Sequence, residues 1–433
     1  MNMPSSRLTK SFDYLRRAKA VIPMATQTLS KGPTQFVQGV APIYLERGKG
    51  SHVFDVDGNE YIDYPGALGP VVLGYSYPCV DRAIRRQLRD GIVFSLMHPL
   101  EVEVAEKLVQ LIPCAEMVRF AKNGSDVTSA AIRLARAATG REKIAKCGYH
   151  GAQDWNIAST SWNLGVPRFN KELIIEFAYN RLDTLEDIFQ KHPEEIAAVI
   201  MEPVTSELPN SGFLAAVKDL AHRNGAILIF DEVKTGFRVA LGGAQQHFNV
   251  TPDLATFGKA LANGMPVSAL VGKEVYMKMF ENGVFFSMTF GGEALSLAAA
   301  KATISEMEKR GVHSYIWKLG TKLQDQFNML AVELDLKETL QCVGLPSKSV
   351  VKFNATSGVE SLTLKSLFQQ EVIKRGILFN GEHMLTYSHT EEDIMHTLDA
   401  YREAMEILKR AIETNSVDQM IEGTKIQTIF REQ

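Results

Sequence analysis

Apolar residues recur along the chain with two periods, and the switches between them lay out the elements. Residues 12–21 carry apolar positions at helical spacing. Residues 42–64 (PIYLERGKGSHVFDVDGNEYIDY) instead alternate apolar and polar residues around Gly48-Lys49-Gly50 and Asp57-Gly58, which predicts an antiparallel meander. Helical spacing returns over 78–90 and 101–111, separated by the aperiodic Phe94-Ser95-Leu96-Met97-His98-Pro99. Residues 117–120 and 196–202 read as strands, and so does the unbroken apolar run 226–230, buried on both faces as in a parallel sheet. A helix over 127–138 follows the first of these. An amphipathic helix over 213–224, with Gly225 as its C-cap, joins the other two into a complete βαβ unit. A right-handed crossover keeps parallel strand ends together, so Glu202 and Asp231 fall at one sheet edge. Beyond a strand at 267–272 and a helix at 295–307, the chain predicts a smaller α/β portion. Its elements are helices over 315–333, 361–375 and 391–413 and a strand over 349–354, with Thr390 and Asp393 as a capping box.

Composition narrows the class. The 433 residues suit one large domain with smaller attachments, and the 45% apolar content supports a sizeable core. A net charge of −3 supplies no basic field for nucleic acid. The four cysteines, Cys79, Cys114, Cys147 and Cys342, have no metal-site spacing, and no secretory leader implies a disulfide framework. The apolar runs fall far short of the roughly 18 residues that span a bilayer. The expectation is a reduced, cytoplasmic protein with no metal, no nucleic acid and no membrane partner.

Candidate chemistry concentrates in 226–265 (AILIFDEVKTGFRVALGGAQQHFNVTPDLATFGKALANGM). Asp231 and Glu232 follow the strand directly, where the ligand crevice of an open α/β sheet lies. Lys259 sits between Gly258 and Ala260, with Gly264 and Pro266 beyond it, which leaves room for a bulky partner. Alone, such an Asp most often caps a helix and such a Lys is a solvated surface residue. Together they are the two groups a pyridoxal phosphate enzyme cannot lack: an acid for the protonated pyridine nitrogen and an amine for the Schiff base. Asn123-Gly124-Ser125-Asp126 precedes a helix, where free N–H groups and the helix dipole suit a phosphate, although Ser and Asp are also ordinary caps.

These residues carry a family resemblance. IFDEVKTGFR followed by PDLATFGKALANGMPVSALVG resembles the signature of class III aminotransferases, within the fold-type I pyridoxal 5'-phosphate enzymes. The Asp231–Lys259 spacing matches, and similar motifs run from about Tyr44 to about Asp393. The resemblance implies an α/β fold: a large domain (76–310) with a mainly parallel seven-stranded sheet flanked by helices. A smaller α/β domain would come from residues 1–75 and 311–433. It implies that Gly124, Ser125 and Asp126 bind the cofactor phosphate. Tyr149, in the Tyr149-His150-Gly151 motif, would stack on the pyridine opposite Val233, and Glu202 would help organise the site. Asp231, as a carboxylate, would keep the ring nitrogen protonated, and Lys259 would carry the cofactor and then move the substrate proton. Thr289 would reach the phosphate bound by the neighbouring subunit, which makes the enzyme a homodimer with shared active sites.

The substrate is read from departures. The family more often has Glu where this chain has Asp126, and glutamate-1-semialdehyde aminomutases keep Gly-Asn-Pro where it has Gly292-Glu293-Ala294. The arginine before Pro-Pro-Leu, with which omega-amino acid transaminases grip glutamate, gives way to Asn380-Gly381-Glu382-His383-Met384. Yet the stretch from Gly376 to Ile394 resembles the end of the aminomutases. The resemblance therefore suggests transfer from an amino donor, L-glutamate, to a carbonyl acceptor. The favoured acceptor is the terminal aldehyde of an acidic sugar, as in 8-amino-3,8-dideoxy-octulosonate transamination for lipopolysaccharide. The alternatives are glutamate-1-semialdehyde 2,1-aminomutase activity and a non-enzymatic binding module, against which the Asp231–Lys259 pair argues. Arg238, His98 and His383 stand as substrate-recognition candidates or as structural residues.

Overall fold

In the computed structural model, which describes residues 6–428, the alternating stretch becomes three strands. These are β1 (Leu45–Lys49), β2 (His52–Asp55) and β3 (Glu60–Asp63), paired antiparallel in sequence order. The second turn closes on Asp55, whose Oδ1 accepts from the Asp57 and Asn59 amides at 3.0 and 2.8 Å, while Gly58 takes the positive φ of 91°. The meander belongs to one of two compact units. That unit comprises the chain up to Leu68, Val72–Tyr77 and everything from Ser314, and the other comprises Gly69–Val71 and Pro78–His313.

The second unit is built on a seven-stranded sheet. Its strands are β4 (Met117–Ala121), β5 (Lys143–Cys147), β6 (Ile174–Glu176), β7 (Ile196–Met201), β8 (Ile227–Asp231), β9 (Leu254–Phe257) and β10 (Ser268–Gly272), in the order β4-β10-β9-β8-β7-β5-β6. β6, β5, β7, β8 and β9 run parallel, whereas β10 is antiparallel to both β9 and β4. The connection from β9 to β10 is too short for the crossover that a parallel neighbour requires. Every residue of β7, β8, β9 and β10 is buried, which is why those strands are dominated by apolar residues. Helix Gly124–Thr139 covers one face, packing Val127, Ala131 and Leu134 against Ile200, Ile229 and Leu270. Truncating such a residue, as in Ile229→Ala, costs roughly 2–5 kcal/mol.

The first unit resumes with β11 (Leu340–Leu345), β12 (Lys348–Phe353), β13 (Ile377–Leu378) and β14 (Glu382–His383). β13 extends the meander by pairing parallel with β3, and β14 pairs with β12. The Thr390–Asp393 capping box forms at the head of helix Glu391–Glu413. Elsewhere the boundaries move outward: the expected helices at 101–111, 127–138 and 295–307 run Pro99–Leu111, Gly124–Thr139 and Ala294–Arg310. In each case a cap upstream of the apolar period (His98, Asn123, Glu293) decides the start. No described helix is long and apolar enough to cross a membrane.

Candidate active site at the carboxyl ends of the strands

Strand register sets the site. Cys147, Met201 and Phe230 lie side by side in β5, β7 and β8, so Gly148, Glu202 and Asp231 leave the sheet together at its carboxyl edge. Asp231 also pairs with Thr256 of β9. Asp231 is 5% exposed, and both of its carboxylate oxygens have partners. Oδ1 accepts from the Val233 amide at 3.0 Å and the Thr256 hydroxyl at 3.3 Å, and Oδ2 lies 2.8 Å from His150 Nδ1. The other imidazole nitrogen, Nε2, faces the Cys147 carbonyl at 3.1 Å, which can only accept. The Nε2 side of the ring is thus the donor to that carbonyl, and the Nδ1 contact orients the Asp231 carboxylate.

Glycines bring the surrounding segments into contact. A Cβ on Gly124 would lie 2.8 Å from Val233, and one on Gly151 would lie 2.6 Å from the Ser125 hydroxyl. Substitution at either position would push the helix start away from the strand end. Ser125 Oγ accepts from the Ala152 amide at 3.0 Å, and Thr128 donates to the His150 carbonyl at 2.7 Å. Asn123 and Asp126 form a capping box, in which the Asp126 carboxylate accepts from the Asn123 amide at 2.8 Å. The helix start at Gly124 and Ser125 thus packs directly against Val233 and Gly151.

Lys259 enters the same cluster through its neighbour. A Cβ on Gly258 would sit 3.5 Å from Val233 and 3.6 Å from Ser268, whose hydroxyl donates to the Asn123 carbonyl at 2.9 Å. Lys259 is half-buried and has φ of 43°, a left-handed backbone that side-chain-bearing residues rarely adopt. Such strain persists only where the surroundings impose it, as they do at functional sites. Beside Asp231, Glu232 is fully buried and holds the following loop: it accepts from the Ala244 and Gln245 amides at 2.6 and 2.9 Å and from Thr235 at 2.7 Å. Burial pushes its carboxyl up against those donors.

The structure therefore gathers Gly124, Ser125, Asp126, His150, Asp231 and Val233 with the Lys259 turn, and it places Glu202 in the row beside Asp231. Tyr149 follows Gly148 at the end of β5, half-buried. Thr289 stands exposed in the loop that precedes helix Ala294–Arg310, and the cluster is built without it. Three recognition candidates have structural places. His98 caps helix Pro99–Leu111 through Nδ1, Arg238 is 0% exposed and donates to the Gly69 and Val71 carbonyls, and His383 is enclosed between Ser349 and Tyr401. Burial pushes the His383 imidazole down to about 3. The sequence reading passed over Thr128, Thr256 and Ser268. A signal was available for two of them: Thr256 and Ser268 are the hydroxyl residues of otherwise apolar strands.

A helix N-terminus, a small-residue cradle and a buried carboxylate beside a lysine suit a flat, phosphate-bearing heterocycle with a protonatable nitrogen, and pyridoxal 5'-phosphate fits that donor set. The Aminotransferase class-III profile matches residues 36–412. The chain is 36% identical to a 3-aminobutyryl-CoA aminotransferase of Cloacimonas acidaminovorans, over 94% of this chain and 99% of that protein. It is 34% identical to a glutamate-1-semialdehyde 2,1-aminomutase of Alkaliphilus oremlandii, over 93% and 100%. Among solved structures, the pyridoxal phosphate internal-aldimine form of the FumI protein of Sphingopyxis sp. MTA144 superposes with a TM-score of 0.87 at 29% identity, covering 94% of this chain and 98% of that one.

Proposed function

The chain belongs to the class III aminotransferases, pyridoxal phosphate-dependent enzymes of fold-type I. From that premise we propose that it transfers an amino group from L-glutamate to a carbonyl acceptor through Asp231 and Lys259. The observation that carries this reading is the packing of the Lys259 turn, Val233 and the Gly124-Ser125 helix start into one cluster beside Asp231.

Bound pyridoxal phosphate supplies an electron sink for the substrate carbanion. The chain's residues do the rest. Asp231 would hold a proton on the pyridine nitrogen, and His150 orients that carboxylate through the 2.8 Å contact. The Gly124 and Ser125 N–H groups and the Ser125 hydroxyl hold the phosphate, while Asp126 fixes the turn from behind. Val233 and Tyr149 would confine the ring, and Glu202 would help organise the site from the neighbouring strand end. Lys259 would anchor the cofactor through its amine and would serve as the base that moves the substrate proton.

The acceptor we favour is a 3-oxoacyl thioester, on the likeness to the 3-aminobutyryl-CoA enzyme. The acidic-sugar aldehyde anticipated from the sequence draws no support from these relatives and enters as one arm of the acceptor screen. The aminomutase reading rests on the 34% identical relative. Against it, Glu293 replaces the asparagine of Gly-Asn-Pro; it caps helix Ala294–Arg310 and lies 2.9 Å from Lys122. A homodimer completed by Thr289, working in a reducing cytoplasm where the four cysteines stay unpaired, belongs to the same proposal.

Titrating the holoenzyme with L-glutamate tests it. The proposal expects the cofactor absorbance to change with one equivalent of 2-oxoglutarate released, and recovery on adding a 3-oxoacyl thioester. No change with glutamate, but a response to a diamine or an aminoaldehyde, would favour the aminomutase.

A further inference from the structure

The outer face of the helix that begins at the Gly124-Ser125 turn carries a feature the reaction does not use. Arg133, Arg136 and Trp155 line a cleft of about 330 Å³, with Ser129, Gln153 and Asp154 at its margins. Arg133 donates to the Phe285 carbonyl and Arg136 Nε to the Glu142 carbonyl at 2.8 Å. Both bonds are to neutral backbone, and among the described residues neither guanidinium is in an ion pair. Arg136 is half-buried, and burial draws its guanidinium below the usual range with only Glu142 opposing. Arg133 is exposed and Arg136 half-buried, so the guanidinium N–H groups not spent on the two carbonyls are available to an anion.

Trp155 supplies the other half. Its indole N–H donates to Ser129 Oγ at 2.9 Å, which fixes the ring. One face lies parallel to His150, with an interplanar angle of 5° and centroids 6.4 Å apart. A fixed indole beside two guanidinium forks is the chemistry that recognises a purine carrying phosphates: the base stacks and the forks take paired oxygens.

We propose that this cleft binds the nucleoside diphosphate portion of an acyl-CoA acceptor, a handle that presents the 3-oxoacyl end to the Lys259 site. The inference rests on the thioester reading above. Arg133 and Arg136 lie eight and eleven residues beyond Ser125 on one helix, roughly 12 and 16 Å at about 1.5 Å per residue. An extended pantetheine arm bridges that separation. Binding energy from this remote, unreacting part would favour the intact substrate over a truncated one.

The test compares a 3-oxoacyl CoA thioester with its N-acetylcysteamine analogue on the holoenzyme, and titrates ADP alone while reading tryptophan fluorescence. Trp155 is one of three tryptophans, so Trp155→Phe isolates its signal. The expected result is a kcat/KM ratio favouring the CoA thioester by about tenfold or more, falling towards one in Arg133→Gln/Arg136→Gln. ADP should quench the wild type and leave Trp155→Phe unchanged. Equal use of both thioesters with no quenching by ADP would overturn the proposal. If neither thioester reacts although glutamate does, the thioester reading falls by itself. Quenching by ADP would then sustain the cleft as a site for a free nucleotide, and its absence would sink the cleft as well.

Discussion

Two aspartates at opposite ends of the central strands make the useful comparison. Asp231 at the carboxyl edge and Asp253 at the amino edge are 5% and 2% exposed. Asp253 is neutralised from within: Lys273 at 2.5 Å, His222 at 2.8 Å and the Leu228 amide at 2.9 Å saturate it. Burial works against its charge, but the Lys273 bond, the Leu228 amide and His222 hold its carboxyl below the usual range. Asp231 has no lysine or arginine of its own, only an imidazole, an amide and a hydroxyl, and it faces a cradle kept open by glycines. Equal burial therefore serves two ends. One carboxylate ties β8, β9 and helix Phe213–Arg223 together, while the other is left to hold a charge that arrives with a ligand.

The sharpest way to break the comparison is at the carboxyl edge. Lys259→Ala should lower the glutamate half-reaction by more than about 10³-fold, since it removes both anchor and proton carrier, and should leave thermal stability nearly unchanged. Retained turnover without added amine would remove Lys259 from the account. Asp231→Asn should cost on the order of 10²–10³ in kcat, the scale of a lost electrostatic stabiliser; stopped-flow rates check it.

The amino edge should answer in the opposite currency. Asp253→Asn should cost about 2 kcal/mol of stability, less than a sealed buried pair because His222 and Lys273 are 37% and 41% exposed, with kcat per folded molecule retained. Because its folded carboxyl is depressed, Asp253 contributes stability present above the unfolded value near ~3.9. That stability is lost as pH falls through the folded value, so the variant should flatten the acid limb of a denaturation profile. The smallest effect concerns His52, whose Nε2 lies 3.1 Å from Asp393 and whose Nδ1 is close to Glu60 at 2.9 Å but poorly aligned. The Asp393 bond raises its imidazole against the opposing effect of burial. Its contribution is present below ~6.5 and disappears as pH rises through the raised folded value. His52→Gln should remove a few tenths of a kcal/mol on that limb, visible as a smaller Tm difference between pH 5 and 8.

How much of this was legible in the sequence follows from where the information lies. The 226–230 run, the Asp231–Lys259 spacing and the meander were readable because local pattern and turn chemistry specify them. The insertion of β10 between β4 and β9 was not, since strand pairing is set by partners distant in sequence. β6 and β13, three and two residues long, are too short to show a period. His150 meets Asp231 across 81 positions, so only the motif marked it and nothing local gave its partner. Helix starts were misjudged where capping side chains, outside the apolar period, set them.

The central claim is that Lys259 carries the cofactor beside Asp231. Reducing the holo-protein with borohydride, digesting it and locating the adduct by mass spectrometry tests this most directly. The account predicts a single phosphopyridoxyl group on the peptide containing Lys259. An adduct on another lysine, or none in protein that binds the cofactor stoichiometrically, would contradict it.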